Sequence, residues 1–333
     1  YEIHERLVGS EMCIRDSLDT NAQKGFIVAA IIITIIGSAL FECAGTGTKE
    51  RVPNGSETKT MKESFALMWK CKPFRRILIS GLLRAPLQLM MNIAMTLLTY
   101  YYCKGNLTYA FTKLDIFIIV LILAGGLFIG QFVSMAISPA LMKKYETKKV
   151  YNLFSGLSAV AFALLFVVYL IAPTDLSKIG FVVIDGILFF GTGMGFGGVS
   201  VCQSVMISDC IDYEEYHNGY RPDGIFFSGQ SFITKFSAGI SSIISGYVFD
   251  AVGYTDININ KMNEAIANGA NFATDYTSYS KAMWFLISIP PAIGMLLAVI
   301  PTLKYEIDKK SHNKMLEELV KRHKQNNQGD TNG

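Results

Sequence analysis

The sequence predicts an all-α integral membrane protein, and three observations carry that prediction. Hydrophobic residues make up 51% of the 333 and charged residues only 17%, against about a quarter charged in an ordinary soluble domain. The apolar residues fall in long blocks, each near the ~20 residues that a helix needs to cross ~30 Å of hydrocarbon. No water is at hand inside that layer, so every backbone amide must pair within its own segment, which selects helices over strands or loops.

Seven such blocks follow one another. The first runs from Gly25 to Cys43, with FIVAAIIITIIGSALF at its centre, and a charged, polar stretch from Thr48 to Lys72 follows it. The second covers Ile77–Cys103, the third Ile116–Leu141, the fourth Val150–Ile171 and the fifth Ile179–Ile207. The sixth covers Ile225–Val252 and the seventh Ala282–Leu303, where Pro290 and Pro291 predict a kink. In the polar tail from Lys304, the residues Met315, Leu316, Leu319 and Val320 recur at helical spacing among charges. That pattern predicts an amphipathic helix over Ser311–Lys324 on the membrane surface. Residues 1–24 are polar and lack the apolar core of a signal peptide.

Orientation follows from lysine and arginine, which accumulate on the cytoplasmic side of short loops. One set of connections holds Lys49 to Arg76, Lys143, Lys144, Lys148, Lys149, Arg221 and the basic tail; the other holds Lys24, Lys104, Lys113, Lys178, Lys261 and Lys281. The first set is over three times richer, so the C-terminus is expected in the cytoplasm. Trp69, Trp284 and Tyr100 to Tyr102 fall near span ends, where interfacial aromatics belong. The net charge of +3 gives no reason to expect nucleic acid. Six scattered cysteines show neither disulfide nor zinc spacing. Gly193, Gly195 and Gly198 match G-x-G-x-x-G, but inside an apolar span rather than at a strand-to-helix turn. Small residues there predict close helix approach instead.

Seven spans also admit a seven-helix receptor. The long basic stretch, however, separates one lone helix from six closely linked ones. That 1 + 6 pattern matches the end of a 6 + 6 carrier of the major facilitator type, whose halves are joined by a long cytoplasmic loop. The residues between spans five and six point the same way. They read Asp212-Tyr213-Glu214-Glu215-Tyr216-His217-Asn218-Gly219-Tyr220-Arg221-Pro222-Asp223-Gly224, followed by Ser228, Phe232 and Lys235. This resembles the glycoside–pentoside–hexuronide:cation symporter family of melibiose-carrier relatives. Its pattern is D-Y-x-E-x-x-T-G-x-R-x-E-G, then a helix with S-x-x-x-F and a buried lysine. Gly47 to Val52, Lys70 to Phe74, Tyr100-Tyr101 and the basic turn Lys143 to Lys149 look alike as well, so the likeness covers Gly25 to Arg322. Asn218 stands where the family favours threonine, Asp223 where it favours glutamate, and Glu146-Thr147 replaces a common glycine.

The resemblance implies a major facilitator fold: the last helix of an N-terminal bundle plus a complete six-helix C-terminal bundle. Residues 18–44 would be that last helix, 45–74 the central cytoplasmic loop, 75–304 the six-helix bundle and 305–333 the cytoplasmic tail. The opening, Tyr1 to Ser17, resembles no part of the family; it reads as translated sequencing-adapter sequence and is expected to be an artefact.

Lys235 lies about ten residues, ~15 Å, into its span, where a lysine is expensive unless it faces a cavity or a carboxylate. By resemblance it couples the cation and sugar sites; the bland alternative is a packing or snorkelling residue. Arg84, ~10 Å inside its span, either lines a cavity or snorkels to the surface. Asn92, Gln131, Gln203, Gln230 and Ser231 are uncharged polar groups in apolar spans, suited to sugar hydroxyls and equally to interhelical bonds of about 1 kcal/mol. Lys235, Arg84, Asn92, Gln230 and Ser231 form the candidate substrate and coupling set. Asp185 could partner a cation or cap its helix. Asp212, Glu215, Arg221 and Asp223 are read as a gate network in the cytoplasmic loop, against a solvated loop whose ion pairs contribute under ~1 kcal/mol.

The expected activity is cation-coupled symport of a glycoside, pentoside or hexuronide by alternating access. Sodium or proton would be the coupling ion, with no cofactor, resident metal or catalytic residue. The expected partners are the sugar, a monovalent cation, the bilayer and an N-terminal bundle that holds the main cation carboxylates, so the fragment alone is expected to be inactive. A lysolipid or peptide carrier of the same superfamily, a membrane sensor and a membrane enzyme are the alternatives; the last would need clustered His, Asp or Glu at the surface.

Overall fold

The structure is a computed structural model describing residues 20–47, 60–107 and 109–330. The expected artefact over residues 1–17 and most of the central loop lie outside the described residues. The chain divides into two compact units, residues 1–54 with 256–260, and residues 55–255 with 261–333. The first contains α1, Thr20–Gly47, whose stretch Ile27–Gly47 is long and apolar enough to cross a membrane.

In the second unit, α2 spans Met61–Lys70 and is started by reciprocal caps. The Thr60 amide donates to Glu63 Oε2 at 2.8 Å, and the Glu63 amide to Thr60 Oγ1 at 3.4 Å, which satisfies two orphan donors of the first turn. Helix α3, Lys72–Leu83, carries Pro73 in its first turn, where a missing N–H leaves nothing unpaired. Helix α4 spans Leu87–Tyr101. The sequence reading took Ile77–Cys103 as unbroken; the structure interrupts it at residues 84–86, because Pro86 has no amide hydrogen and crowds the preceding turn. After a turn with Lys104 at φ 51° and Gly105 at φ 75° come the short α5, Tyr109–Thr112, α6, Leu114–Lys144, and α7, Thr147–Ile171. Then follow α8, Ile179–Asn218, and α9, Asp223–Ala251. Helices α10, Asp256–Ala267, and α11, Phe272–Asp275, precede α12, Thr277–Leu303, and α13, Lys309–Asp330, closes the chain. Among the described residues seven stretches, with α3 and α4 taken together as one, are long and apolar enough to span a membrane, and they fall on the seven predicted blocks.

Helix α8 is the largest departure from expectation. Its 40 residues extend ~60 Å, twice the hydrocarbon thickness. The polar run from Asp209 to His217, expected as loop, continues the helix because no glycine or proline interrupts it. It stops at Gly219, where φ is 68° and the amide donates to the Glu215 carbonyl at 2.9 Å, a left-handed terminus that glycine adopts without strain.

Helices α6 and α8 pack most extensively, along a seam of glycines. A Cβ on Gly193 would strike the Leu127 carbonyl, one on Gly197 the Gln131 carbonyl, and one on Gly130 the Phe190 carbonyl. Backbones meet there directly, as the small residues predicted. Helix α7 closes the other side of α8 and packs in turn against α12, burying Trp284, Tyr151, Phe154, Phe162 and Leu165 completely. Trp284 is therefore a core residue and not the interfacial anchor that its position suggested. The Ser80 hydroxyl ties α3 to both helices, donating to the Ala298 carbonyl at 2.6 Å and sharing a 2.8 Å bond with the Tyr151 hydroxyl. Outward faces carry Phe128, Phe132, Leu157, Leu164, Ile187, Leu296 and Ile300, all exposed. So continuous an apolar surface is stable in lipid and not in water; the chain is a multi-pass membrane protein. Helix α13 is longer than expected, and it turns Met315 and Leu319 inward while Val320 stays exposed.

Candidate functional site

Polar side chains gather where α3, α8 and α9 converge. Arg84 follows the last residue of α3, and its Nη2 donates to Gln203 Oε1 of α8 at 2.5 Å. Gln203 is buried, so Arg84 is held inward and does not snorkel to the surface. Its Nη1 is buried with no hydrogen-bond partner among the described residues. At Gly81, a Cβ would lie 3.1 Å from Ile233 Cγ2 of α9 and 3.6 Å from Gln203 Nε2, which shows how closely the three helices approach. The Ser241 hydroxyl of α9 donates to the Ala85 carbonyl at 2.9 Å, fastening α9 to the break between α3 and α4.

Asn92 on α4 donates to the Ser242 hydroxyl of α9 at 3.4 Å. Gln230 is half-buried, and its carbonyl accepts the Thr234 hydroxyl at 3.0 Å. Ser231 and Lys235 are exposed on α9, four residues apart and therefore on one face. Lys235 forms no ion pair among the described residues. The five sequence-nominated residues thus all lie on α3, α4 and α9 or at the α3–α4 break; Arg84 and Asn92 are tethered, while Ser231 and Lys235 are presented outward. Gln203, which stood out in the sequence only as one amide among several, supplies the acceptor that holds Arg84.

A second polar cluster lies at the far end of α8. Arg221 Nη1 meets Asp212 Oδ1 at 3.0 Å and Glu215 Oε2 at 2.6 Å, while its Nε meets Asp223 Oδ2 at 2.9 Å. Asp212 and Glu215 sit on the last turns of α8 and not in a loop, with Asp223 opening α9. One guanidinium therefore binds the end of α8 to the start of α9, with the directional contacts a planar fork allows.

The network extends to the tail, which the sequence did not reveal. His312 Nε2 of α13 lies 3.1 Å from Asp212 Oδ2 and 3.6 Å from Asp209 Oδ1. The hydrogen bond to Asp212, and then the charges of Asp209 and Asp212, raise the His312 pKa above its ordinary value against the opposing effect of burial. Arg322 donates to the Tyr216 carbonyl at 3.0 Å and stacks 4.9 Å from that ring. Asp308 caps α13: its Oδ1 accepts the Ser311 amide at 2.7 Å, and Ser311 holds that carboxyl below the usual range. A cavity of about 340 Å³ opens beside these groups, lined in part by Lys143, Glu146, Asp209, Asp308, Lys309 and His312.

Membrane-length apolar helices, a backbone-to-backbone glycine seam, a polar patch in the apolar bundle and ion pairs joining helix ends define a polytopic helical-bundle membrane protein. The chain belongs to the MFS/sugar transport protein family, whose sequence pattern matches residues 7–309. It is similar to the isoprimeverose transporter of Lactiplantibacillus pentosus, with 26% identity over 92% of this chain and 57% of that protein. It is also similar to the inner membrane symporter YicJ of Escherichia coli, with 25% identity over 86% of this chain and 55% of the relative. The chain thus spans less than two thirds of the curated relatives it matches.

Proposed function

We propose that this chain supplies the C-terminal bundle of a secondary active sugar carrier that couples uptake of a glycoside, pentoside or hexuronide to a sodium or proton gradient. The observation that carries the reading is Lys235. It lies ~18 Å along α9 from Asp223, exposed and without an ion pair among the described residues, on the helix whose Ile233 approaches Gly81 near Gln203. A lysine midway along a membrane helix persists where it faces an aqueous cavity or a carboxylate. A polar substrate cavity between two bundles provides that setting, with a second six-helix bundle as the partner. The sugar hydroxyls would be met by Asn92, Gln230 and Ser231, and the named activities of the relatives support the same substrate class.

The Lys and Arg distribution supports a cytoplasmic location for the tail and the Arg221 network. There the α8–α9–α13 ion pairs would hold one conformation of the alternating-access cycle and release in the other. No bond is made or broken in the substrate. The test is uptake of labelled glycosides by vesicles containing the full-length protein under imposed sodium or proton gradients. Gradient-dependent uptake, lost in Lys235→Ala, is the expected result. Unchanged uptake in that variant would remove Lys235 from the site, and no sugar uptake by a well-folded protein would turn the reading toward a lipid or peptide carrier.

A further inference from the structure

Asp185 takes no part in either cluster. It lies six residues into α8, ~27 Å along the helix from Gln203 and further still from the Arg221 network. The side chain is fully buried, and neither carboxylate oxygen has a hydrogen-bond partner among the described residues. The basic residue nearest in sequence, Lys178, pairs instead with Asp175 at 3.0 Å.

Its surroundings are phenolic and apolar. The Tyr102 hydroxyl, just past α4, lies within electrostatic reach of the carboxyl and is itself buried without a partner. The Tyr102 ring lies 4.9 Å from Tyr101, which meets Trp284 edge-on at 6.0 Å, and Trp284 stacks on Tyr169 at 5.6 Å. The Tyr101 hydroxyl is engaged by the Pro173 carbonyl at 2.6 Å, whereas Trp284 Nε1 is buried with no partner. The titratable groups within electrostatic reach of Asp185 are Tyr101, the last residue of α4, and Tyr102 just past it, while Tyr169 from α7 and Asp175 from the following turn act on Tyr101. From α6, Ile122 packs on the adjacent Gly186 and adds none. None of these groups is basic.

An ionised carboxylate in such a place would be desolvated and unpaired, so the neutral acid is favoured. A neutral carboxyl both donates and accepts, and it suits a neighbouring hydroxyl. We propose that Asp185, with the Tyr102 hydroxyl beside it, is a buried proton-binding site. The carboxyl is held as the neutral acid while it is enclosed, and it exchanges its proton with water when this end of the bundle opens. The site is separate from Lys235, and its test requires no transport.

The test is infrared spectroscopy of the full chain in lipid nanodiscs at neutral pH, compared with Asp185→Asn, Asp185→Glu and Tyr102→Phe. The expected result is a protonated-carboxyl C=O band in the wild type, moved by D2O and missing from Asp185→Asn. In Asp185→Glu the band persists at a changed frequency, which separates loss of the group from loss of the fold. In Tyr102→Phe it shifts because a hydroxyl dipole within electrostatic reach has gone. Two results would overturn the proposal. One is a wild-type minus Asp185→Asn spectrum that differs only in the ionised-carboxylate bands. The other is a carboxyl band that disappears when sodium is added at constant pH, which would make Asp185 a metal-cation ligand.

Discussion

Replacing Arg221 with alanine withdraws a cation shared by Asp212, Glu215 and Asp223. The structure sets the size of the effect. The Arg221 side chain is 25% exposed, and its three partners are 12%, 9% and 32% exposed in that order. A solvent-exposed pair contributes under ~1 kcal/mol, while removing one partner of a fully buried pair costs about 3–5 kcal/mol. Asp212 and Glu215 stand near the buried limit and Asp223 nearer the exposed one, and Asp212 keeps His312 at its other oxygen. A loss of about 2–3 kcal/mol follows for Arg221→Ala, set between those limits. The assay is denaturant unfolding of the purified chain in detergent, read by tryptophan fluorescence. Arg221→Lys should recover less than half of the loss, because a point charge does not reproduce the Nη1 and Nε contacts together. Adding Glu215→Gln to Arg221→Ala should be less than additive, since one contact is removed twice. A loss below ~0.5 kcal/mol, the range of an ordinary surface substitution, would refute the reasoning.

The same unfolding assay separates glycines by their surroundings. Gly193→Ala places a Cβ against the Leu127 carbonyl and should lose ~1–3 kcal/mol by overpacking. Gly239→Ala meets nothing within 4 Å and should be neutral or gain up to ~1 kcal/mol of helix propensity. The raised His312 pKa means that the folded tail favours the protonated imidazole. Its contribution is therefore complete below the ordinary value of 6.5 and is lost as pH rises through the folded-state value. Trypsin cleavage within α13, normalised to a free peptide of the same sequence, should accelerate with rising pH in the wild type and stay flat in His312→Gln; equal profiles would dissociate the tail from His312.

The seven spans were legible because each helix must present a long apolar run to lipid, and Leu114–Lys144 or Thr147–Ile171 declares itself at once. The Pro86 break was written in the sequence but hidden within hydrophobic surroundings. The extension of α8 was misread because polar residues after Ile207 signal the end of the membrane and not the end of a helix. Gly219 with Pro222 behind it was the available stop signal. Among site residues, Arg84 and Lys235 announced themselves as charges in apolar spans. The bond from Arg84 to Gln203 crosses 119 residues and that from His312 to Asp212 crosses 100, so neither leaves a local pattern. Asp185 looked like a helix-end residue near the interface; its complete burial depends on how other helices pack around α8, which spacing along α8 does not disclose.

The uninterrupted course of α8 has a mechanical consequence. Its backbone bonds run without a break from the glycines at 193–197 to Glu215, so this stretch behaves as a lever arm whose fulcrum is the seam against α6. The arm from the fulcrum to Glu215 is ~30 Å and that to Gln203 ~12 Å, at 1.5 Å per residue. A tilt of ~5° would then displace Gln203 by ~1 Å and Glu215 by nearly 3 Å. A movement small enough to preserve the grip of Gln203 on Arg84 is amplified, at the distal tip, into one as large as the 2.6 Å contact between Glu215 and Arg221.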